Sequence, residues 1–240
     1  MAGLKEVRTR IASVISTQQI TSAMKMVAAS KLRKAQNNIV ALRPYANKLS
    51  TIMQHLSSNG ASDGSIFSRE EEPDKVLLIV ITSNRGMCGG FNANVNKATM
   101  QHIHDNFGDQ NKRGNVHLVT IGRKGTEFFT RRNYNVVANY NGIYDNLNYQ
   151  SASEIANQVM DWFKDKTYNR VDIIYNQFKN AGTQFLMVEQ MLPVKVQKVE
   201  AVHAQFRDDY IFEPDSEELL DAIIPQALRI QLYKIGRAHV

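Results

Sequence analysis

The sequence predicts an α/β protein with a long N-terminal coiled-coil helix, a central open-sheet α/β domain and the start of a C-terminal helix. Three observations predict it. Residues 4–43 keep a helical period without one proline or glycine. From Lys75 onward, short apolar runs alternate with amphipathic ones. After Asp215 a fresh helix start appears, with Ser216 followed by Glu217 and Glu218.

The first element is a rod. Leu4, Val7, Ile11 and Val14 repeat at helical seam spacing, and the same register later meets Ala28, Leu32, Ala35, Ile39 and Leu42. Between these it meets Gln18, Thr21 and Lys25, while Ile15, Ala23, Met24 and Val27 move the apolar stripe sideways. Pro44 marks a kink or boundary. Leu4 to Leu42 would span roughly 57 Å at the helical rise. A small globular domain cannot cover that length, so the seam asks for a partner helix.

The rod is also where the charge sits. Residues 1–43 contain eight basic side chains (Lys5, Arg8, Arg10, Lys25, Lys31, Arg33, Lys34, Arg43) and one acid, Glu6, for a net +7. The whole chain is +6, so the remainder is close to neutral. Solvated coiled-coil surfaces normally mix Glu with Lys; this one barely does. The excess charge therefore reads as a contact surface. The occupants it leaves open are solvent, a membrane or nucleic acid, and an acidic protein socket.

A targeting peptide fails on length, because the seam continues past any usual cleavage point. No stretch approaches the roughly 20 apolar residues of a membrane span. A basic coiled coil that binds nucleic acid is the alternative reading. Against it, the rod has no aromatic residue before Tyr45 and no nucleic-acid motif accompanies it.

A glycine- and serine-containing linker with an acidic run, residues 59–74, leads into the domain at 75–207. Lys75–Ser83 reads as a buried strand, followed by a glycine-rich turn and a helix over Ala93–Asn106. Val116–Ile121 is a strand, Arg123–Arg132 a helix and Val136–Asn139 a short strand. Ser151–Lys166 is an amphipathic helix capped by Ser151 or Ser153, with Ile155, Val159, Trp162 and Phe163 inward. Val171–Tyr175 and Gln184–Glu189 are strands joined by a hairpin turn at Asn180–Thr183.

Chemistry is scarce. Gly86, Gly89 and Gly90 follow a strand and precede a helix, where phosphate cradles sit, but their spacing fits neither dinucleotide fingerprint nor P-loop. Cys88 is the only cysteine, which excludes an internal disulfide and a C-x-x-C metal site. His102 and His104 lie two apart and face different sides of a helix, poor geometry for one metal. His55, His117 and His203 are isolated. The residues predict no enzyme, no cofactor and no metal.

Two long stretches carry a resemblance. Leu4–Val14 (LKEVRTRIASV) with Thr17–Arg33 (TQQITSAMKMVAASKLR) resembles the amino-terminal signature of the rotary ATP synthase gamma subunit. Ser83–Asn92 (SNRGMCGGFN) resembles the second marker of that family, which usually has Asp at the position of Asn84. Tyr175-Asn176-Gln177-Phe178 and Glu213-Pro214-Asp215 follow in family order, so the resemblance runs from Ala2 to about Lys234.

The resemblance implies a central rotor shaft of bacterial type, present once per complex and without nucleotide site or catalysis of its own. It implies a ring of alpha and beta subunits around the rod, with delta and epsilon subunits and the membrane c-ring as further partners. It further implies a position on the cytoplasmic face of the inner membrane, with no nucleic acid and no membrane insertion. Contact candidates on the rod (1–58) are Arg8, Lys25, Arg33 and Lys34 for acidic loops, with Met24 and Met26 as an adaptable apolar bearing. Tyr210 and Glu213, in the foot loop and helix start of 208–234, are candidates for rotor or epsilon contact. In the family the second helix runs antiparallel to the first, which calls for on the order of 55 more residues. Residues 235–240 (IGRAHV) instead read as the translation of a common sequencing adapter, a tail foreign to a truncated gene.

Overall fold

The computed structural model describes residues 3–58, 65–145, 147–180, 183–194 and 216–237, and it divides into two compact units, 1–41 and 42–240. Helix α1 (Leu4–Ser58) continues as helix through Pro44. Within the first unit every side chain from Gly3 to Lys34 is exposed, and the stripe of Leu4, Val7, Ile11 and Val14 is no exception. The expected rod is there, and its seam is uncovered from Leu4 to Leu32.

The second unit is built on a five-stranded sheet: β1 (Val76–Ile81), β2 (Val116–Ile121), β3 (Asn135–Asn139), β4 (Arg170–Asn180) and β5 (Thr183–Leu192). Their order is β3-β2-β1-β4-β5, parallel throughout except for β5, which pairs antiparallel with β4. The chain moves outward from β1 through β2 and β3, then returns to the other side of β1 as β4. This is an open sheet covered by helices, as the alternation of runs predicts, and its strand order makes it doubly wound.

All six side chains of β1 are buried because the strand is covered on both faces, which explains its unbroken apolar run. Leu77, Ile79 and Ile81 enter one core, while Val76, Leu78 and Val80 enter the other. The second core is closed by α2 (Phe91–Asn106) and α4 (Arg123–Thr130), through Val95, Ile103 and Phe129, with Phe107 entering it just before the short, exposed α3 (Gly108–Lys112). The first core is closed by α5 (Tyr149–Lys164), which presents Ile155, Val159 and Phe163 at i, i+4 and i+8. Burial of each such side chain contributes about 1.5–3 kcal/mol.

Helix α6 (Ser216–Arg237) packs on α5. Its buried stripe is Leu220, Ile224, Leu228, Leu232 and Ile235. The Arg229 guanidinium donates to Asn157 Oδ1 at 2.8 Å, and Tyr233 meets Tyr149 edge to face. Ser65 donates to Asp221 at 2.7 Å, and neighbouring Phe67, on a 3₁₀ turn at Ile66–Ser68, is buried in the same core. The stretch expected to be pure linker thus contains a core anchor.

Three expectations need correction in detail. The cap of α5 is Asn148, three and five residues before the predicted serines. Its Oδ1 accepts from the Ser151 N–H at 2.8 Å, while Ser151 Oγ accepts from the Asn148 N–H at 3.3 Å. Ser151 is therefore the reciprocal member of a capping box, and Ser153 donates to the Tyr149 carbonyl inside the helix. Trp162 is only half-buried, because Phe163 takes the inward position beside it. Strands β4 and β5 also run further than read, since hairpin pairing extends them from Val171↔Leu192 to Asn180↔Thr183. Ala181 and Gly182 of the predicted turn lie outside the described residues.

The tightest approach in the sheet joins the ends of β1 and β2. Gly122 has φ 103, and a Cβ there would overlap the Thr82 carbonyl oxygen. Thr82 Oγ1 in turn accepts from the Gly125 N–H at 2.8 Å, and its carbonyl accepts from the Tyr144 hydroxyl at 2.9 Å. Gly122→Ala is expected to destabilise the domain by on the order of 3 kcal/mol or more in chemical denaturation, through overlap and strain together. Gly86→Ala, with nothing within 4 Å of its Cβ, should stay within about 0.5 kcal/mol. Asn148→Ala should cost about 1 kcal/mol in the same assay, the usual value of a lost N-cap.

Candidate functional site

Two features could carry function: the exposed rod and the turn that follows β1. The rod is read from its own geometry. At about 100° per residue, with Arg8 taken as zero, Lys34 lies at about 80°, Lys31 at 140°, Arg10 at 200°, Lys25 at 260° and Arg33 at 340°. Positive charge therefore points to every side of the helix. Lys5, Arg8, Arg10, Lys25, Lys31, Arg33 and Lys34 are all exposed, and of these only Arg10 has an ion pair among the described residues, to Glu6 at 2.9 Å.

The apolar positions behave differently. Leu4, Val7, Ile11, Val14 and Ile15 occupy one sector, about 240–340° on the same scale. Ile20, Met24 and Val27 fall near 100–160°, the sideways step foreseen in the sequence. Met26 lies on the azimuth of Arg8. Met24 and Met26 are 62% and 68% exposed, too open to be packing residues within this chain. The structure thus places Arg8, Met24, Lys25, Met26, Arg33 and Lys34 on one solvent-facing rod, though on different sides of it. Tyr210 and Glu213 lie outside the described residues.

Several threonines on the rod turn their hydroxyls back onto the helix. Thr9 donates to the Lys5 carbonyl at 3.0 Å, Thr17 to Ser13 at 2.9 Å and Thr21 to Thr17 at 3.0 Å. Satisfied in this way, they add little polarity of their own to the surface. What the rod offers a partner is positive charge and a displaced apolar stripe.

The turn after β1 sits where the strand order reverses, the position at which doubly wound sheets bind ligands. Its hydrogen bonds, however, run inward. Asn92 Oδ1 accepts from the Ser83 N–H at 2.9 Å, and Asn92 Nδ2 reaches Ser83 Oγ at 2.9 Å and Cys88 Sγ at 3.1 Å. Asn84, the residue that departs from the family marker, bridges the Asn141 carbonyl (2.7 Å) and the Arg123 N–H (2.9 Å). Met87 and Gly89 adopt left-handed backbone with φ 61 and 60. The turn is a knot that ties β1 to the starts of α2 and α4.

A shallow cleft of about 360 Å³ opens beside this knot, lined by Cys88, Gly90, Phe91, Asn94, Asn176, Gln184 and Leu186. No lysine or arginine lines it, so the charge that a phosphate requires is missing. Cys88 is exposed, with amide, hydroxyl and carbonyl neighbours, none of which is a base.

Among the described residues, His102 and His117 serve the fold. His102 Nε2 meets Asp172 Oδ2 at 2.8 Å, with Arg170 Nε on the same carboxylate at 3.0 Å. Asp172 is buried in β4, so this trio latches α2 to the sheet. His104 points outward to Asp105, as the two-residue spacing foretold. His117 contacts the Tyr168 hydroxyl at 2.8 Å, and burial holds its pKa below the ordinary value. Among the described residues no group of acids, histidines or cysteine could hold a metal ion.

The comparisons with known proteins agree with the rod and the doubly wound domain. A family model described as ATP synthase matches residues 3–237. The gamma chain of Cytophaga hutchinsonii ATP synthase is 44% identical over 237 residues, covering 98% of this chain and 80% of that one. The gamma chain from Flavobacterium psychrophilum is 45% identical over 235 residues, covering 98% and 79%. Among solved structures, the central stalk and c-ring of the Tetrahymena thermophila mitochondrial ATP synthase superposes with a TM-score of 0.65 at 23% identity. That superposition covers 92% of each chain and speaks for the fold alone. With relatives this similar over nearly its whole length, the chain belongs to the ATP synthase gamma-chain family.

Proposed function

We propose that this chain is the central rotor shaft of an ATP synthase, turning inside a ring of alpha and beta subunits and coupling ion-driven rotation to ATP synthesis. Its role is mechanical and non-catalytic. The observation that carries the reading is the rod: an uncovered apolar sector on a helix with positive charge on every side. A coiled-coil partner would cover the sector. A surrounding socket would meet the charge whichever way the rod is turned.

The coupling must come from asymmetry. A ring site shifts its conformational equilibrium only as far as the shaft interacts differently with its states. Moving a site from 1:99 to 99:1 takes about 5.5 kcal/mol of differential interaction. One exposed ion pair supplies about 0.2–1 kcal/mol. The bias therefore needs several charges together with the displaced stripe, and Arg8, Lys25, Arg33, Lys34, Met24 and Met26 are the contacts we assign. Turning the shaft presents this uneven surface to the sites one after another.

The α/β domain forms the foot of the shaft, at the cytoplasmic face of the bacterial inner membrane as a peripheral subunit. We assign the c-ring, delta and epsilon as its further partners, one shaft per complex, with Tyr210 and Glu213 as foot contacts. No described helix is long and apolar enough to cross a membrane.

Co-expression with alpha and beta subunits of a related bacterium, with the chain alone and with a gamma C-terminal helix appended, tests the reading. One copy of the extended chain should copurify per three alpha–beta pairs, and ATPase activity should be absent from the chain alone. An extended chain that never enters the ring would overturn the proposal. In the assembled complex, Arg8, Lys25, Arg33 and Lys34 all changed to Glu should weaken ring association by at least about tenfold at low salt, with a smaller loss at high salt. Tyr210→Ala should lower proton pumping while sparing ATP hydrolysis; equal losses of both would remove Tyr210 from the foot contact.

A further inference from the structure

We propose that Pro44 divides α1 into two cooperative stretches, so that the rod bends and opens without loosening the stretch held by Leu49 and Ile52. The inference goes beyond the shaft reading and does not depend on it. Proline has no N–H, so the Val40 carbonyl has no i+4 donor, and the ring crowds that same carbonyl. Helix propagation relies on an unbroken ladder, and an interruption makes each side stand on its own.

The position of the break fits a joint. Val40 and Pro44 are both exposed, one turn apart on the same face, so water can reach the freed carbonyl. Leu42 and Ala46 are half-buried and Leu49 is buried. Opening the ladder at Pro44 therefore strands no buried polar group. The two compact units divide between Ala41 and Leu42, within three residues of this proline. C-terminal to it, Leu49 is buried and Ile52 packs on the first core, which ties that stretch to the α/β domain.

Amide hydrogen exchange on the full chain tests the joint, comparing wild type with Pro44→Ala. In the wild type, peptides over 34–43 should exchange at least about tenfold faster than peptides over 45–52. In Pro44→Ala, which restores the ladder bond and removes the ring clash, the 34–43 peptides should slow by at least about tenfold. Peptides from β1 and β4 should keep their rates. Equal rates on the two sides of Pro44 in the wild type, or unchanged 34–43 peptides in the variant, would overturn the proposal. Either result is independent of whether the chain enters a ring.

Discussion

Strand β1 is the element on which the rest of the domain depends. It lies at the centre of the sheet with every side chain buried, and its alternate residues nucleate two separate cores. A strand covered on both faces must have helices on both sides, which in a parallel sheet requires connections that cross in two directions. The outward run through β2 and β3 supplies one cover, and the return to β4 brings α5 for the other. The knot at Ser83–Asn92 and the contact of Thr82 with Gly122 hold the ends of β1 and β2 in register with the helices that follow. Even α6 is recruited to this arrangement, since its buried stripe closes the core that Leu77, Ile79 and Ile81 open.

The rod obeys the opposite logic. Its apolar sector contains five large side chains, from Leu4 to Ile15, that nothing in the first unit covers. Isolated helices are marginal in water, and most helical stability in proteins comes from packing of an apolar face. On a rod of this length, an open seam is the kind of face that a packing partner would stabilise. The chain spans about 80% of the length of its gamma-chain relatives. The charge distribution adds a second demand, because a single packed helix would neutralise one side and leave the others positive.

The sequence predicted this division well wherever one physical signal dominated. The run at β1, the pattern of α5 and the acid-poor rod each have a period or a composition that only one environment explains. Legibility failed where structure depends on distant partners. Asp172 sits inside an apolar strand run, and although Arg170 lies two residues back on the same face, nothing local reveals that His102 pairs with it. Asn169 is another such case. Its side chain accepts from the N–H groups of Asp74 and Lys75 and donates to the Glu72 carbonyl, pinning the chain where it enters β1. Phe67 was hidden by its polar neighbours, although a lone aromatic in a serine- and acid-rich stretch is a fair signal of an anchor. The cap of α5 was missed because two serines competed with Asn148, and only the capping-box spacing of Asn148 and Ser151 separates them. For the site, composition exposed the rod, while the foot residues Tyr210 and Glu213 rest on resemblance.

The glycine-rich turn shows why position in a fold is not function. A doubly wound sheet offers a crevice where its strand order reverses, and a helix start there can hold an anion. Here the helix start is tied to Asn92, Ser83 and Cys88, and the cleft beside it has no cation in its wall. The same glycines that let other chains wrap a phosphate let this one fold a turn tightly against itself, with Met87 and Gly89 in left-handed backbone. The polar groups of this turn are occupied in joining β1 to the starts of α2 and α4, so a position that holds ligands in other doubly wound sheets is here a structural tie. The excess positive charge that a partner could read lies on the rod instead.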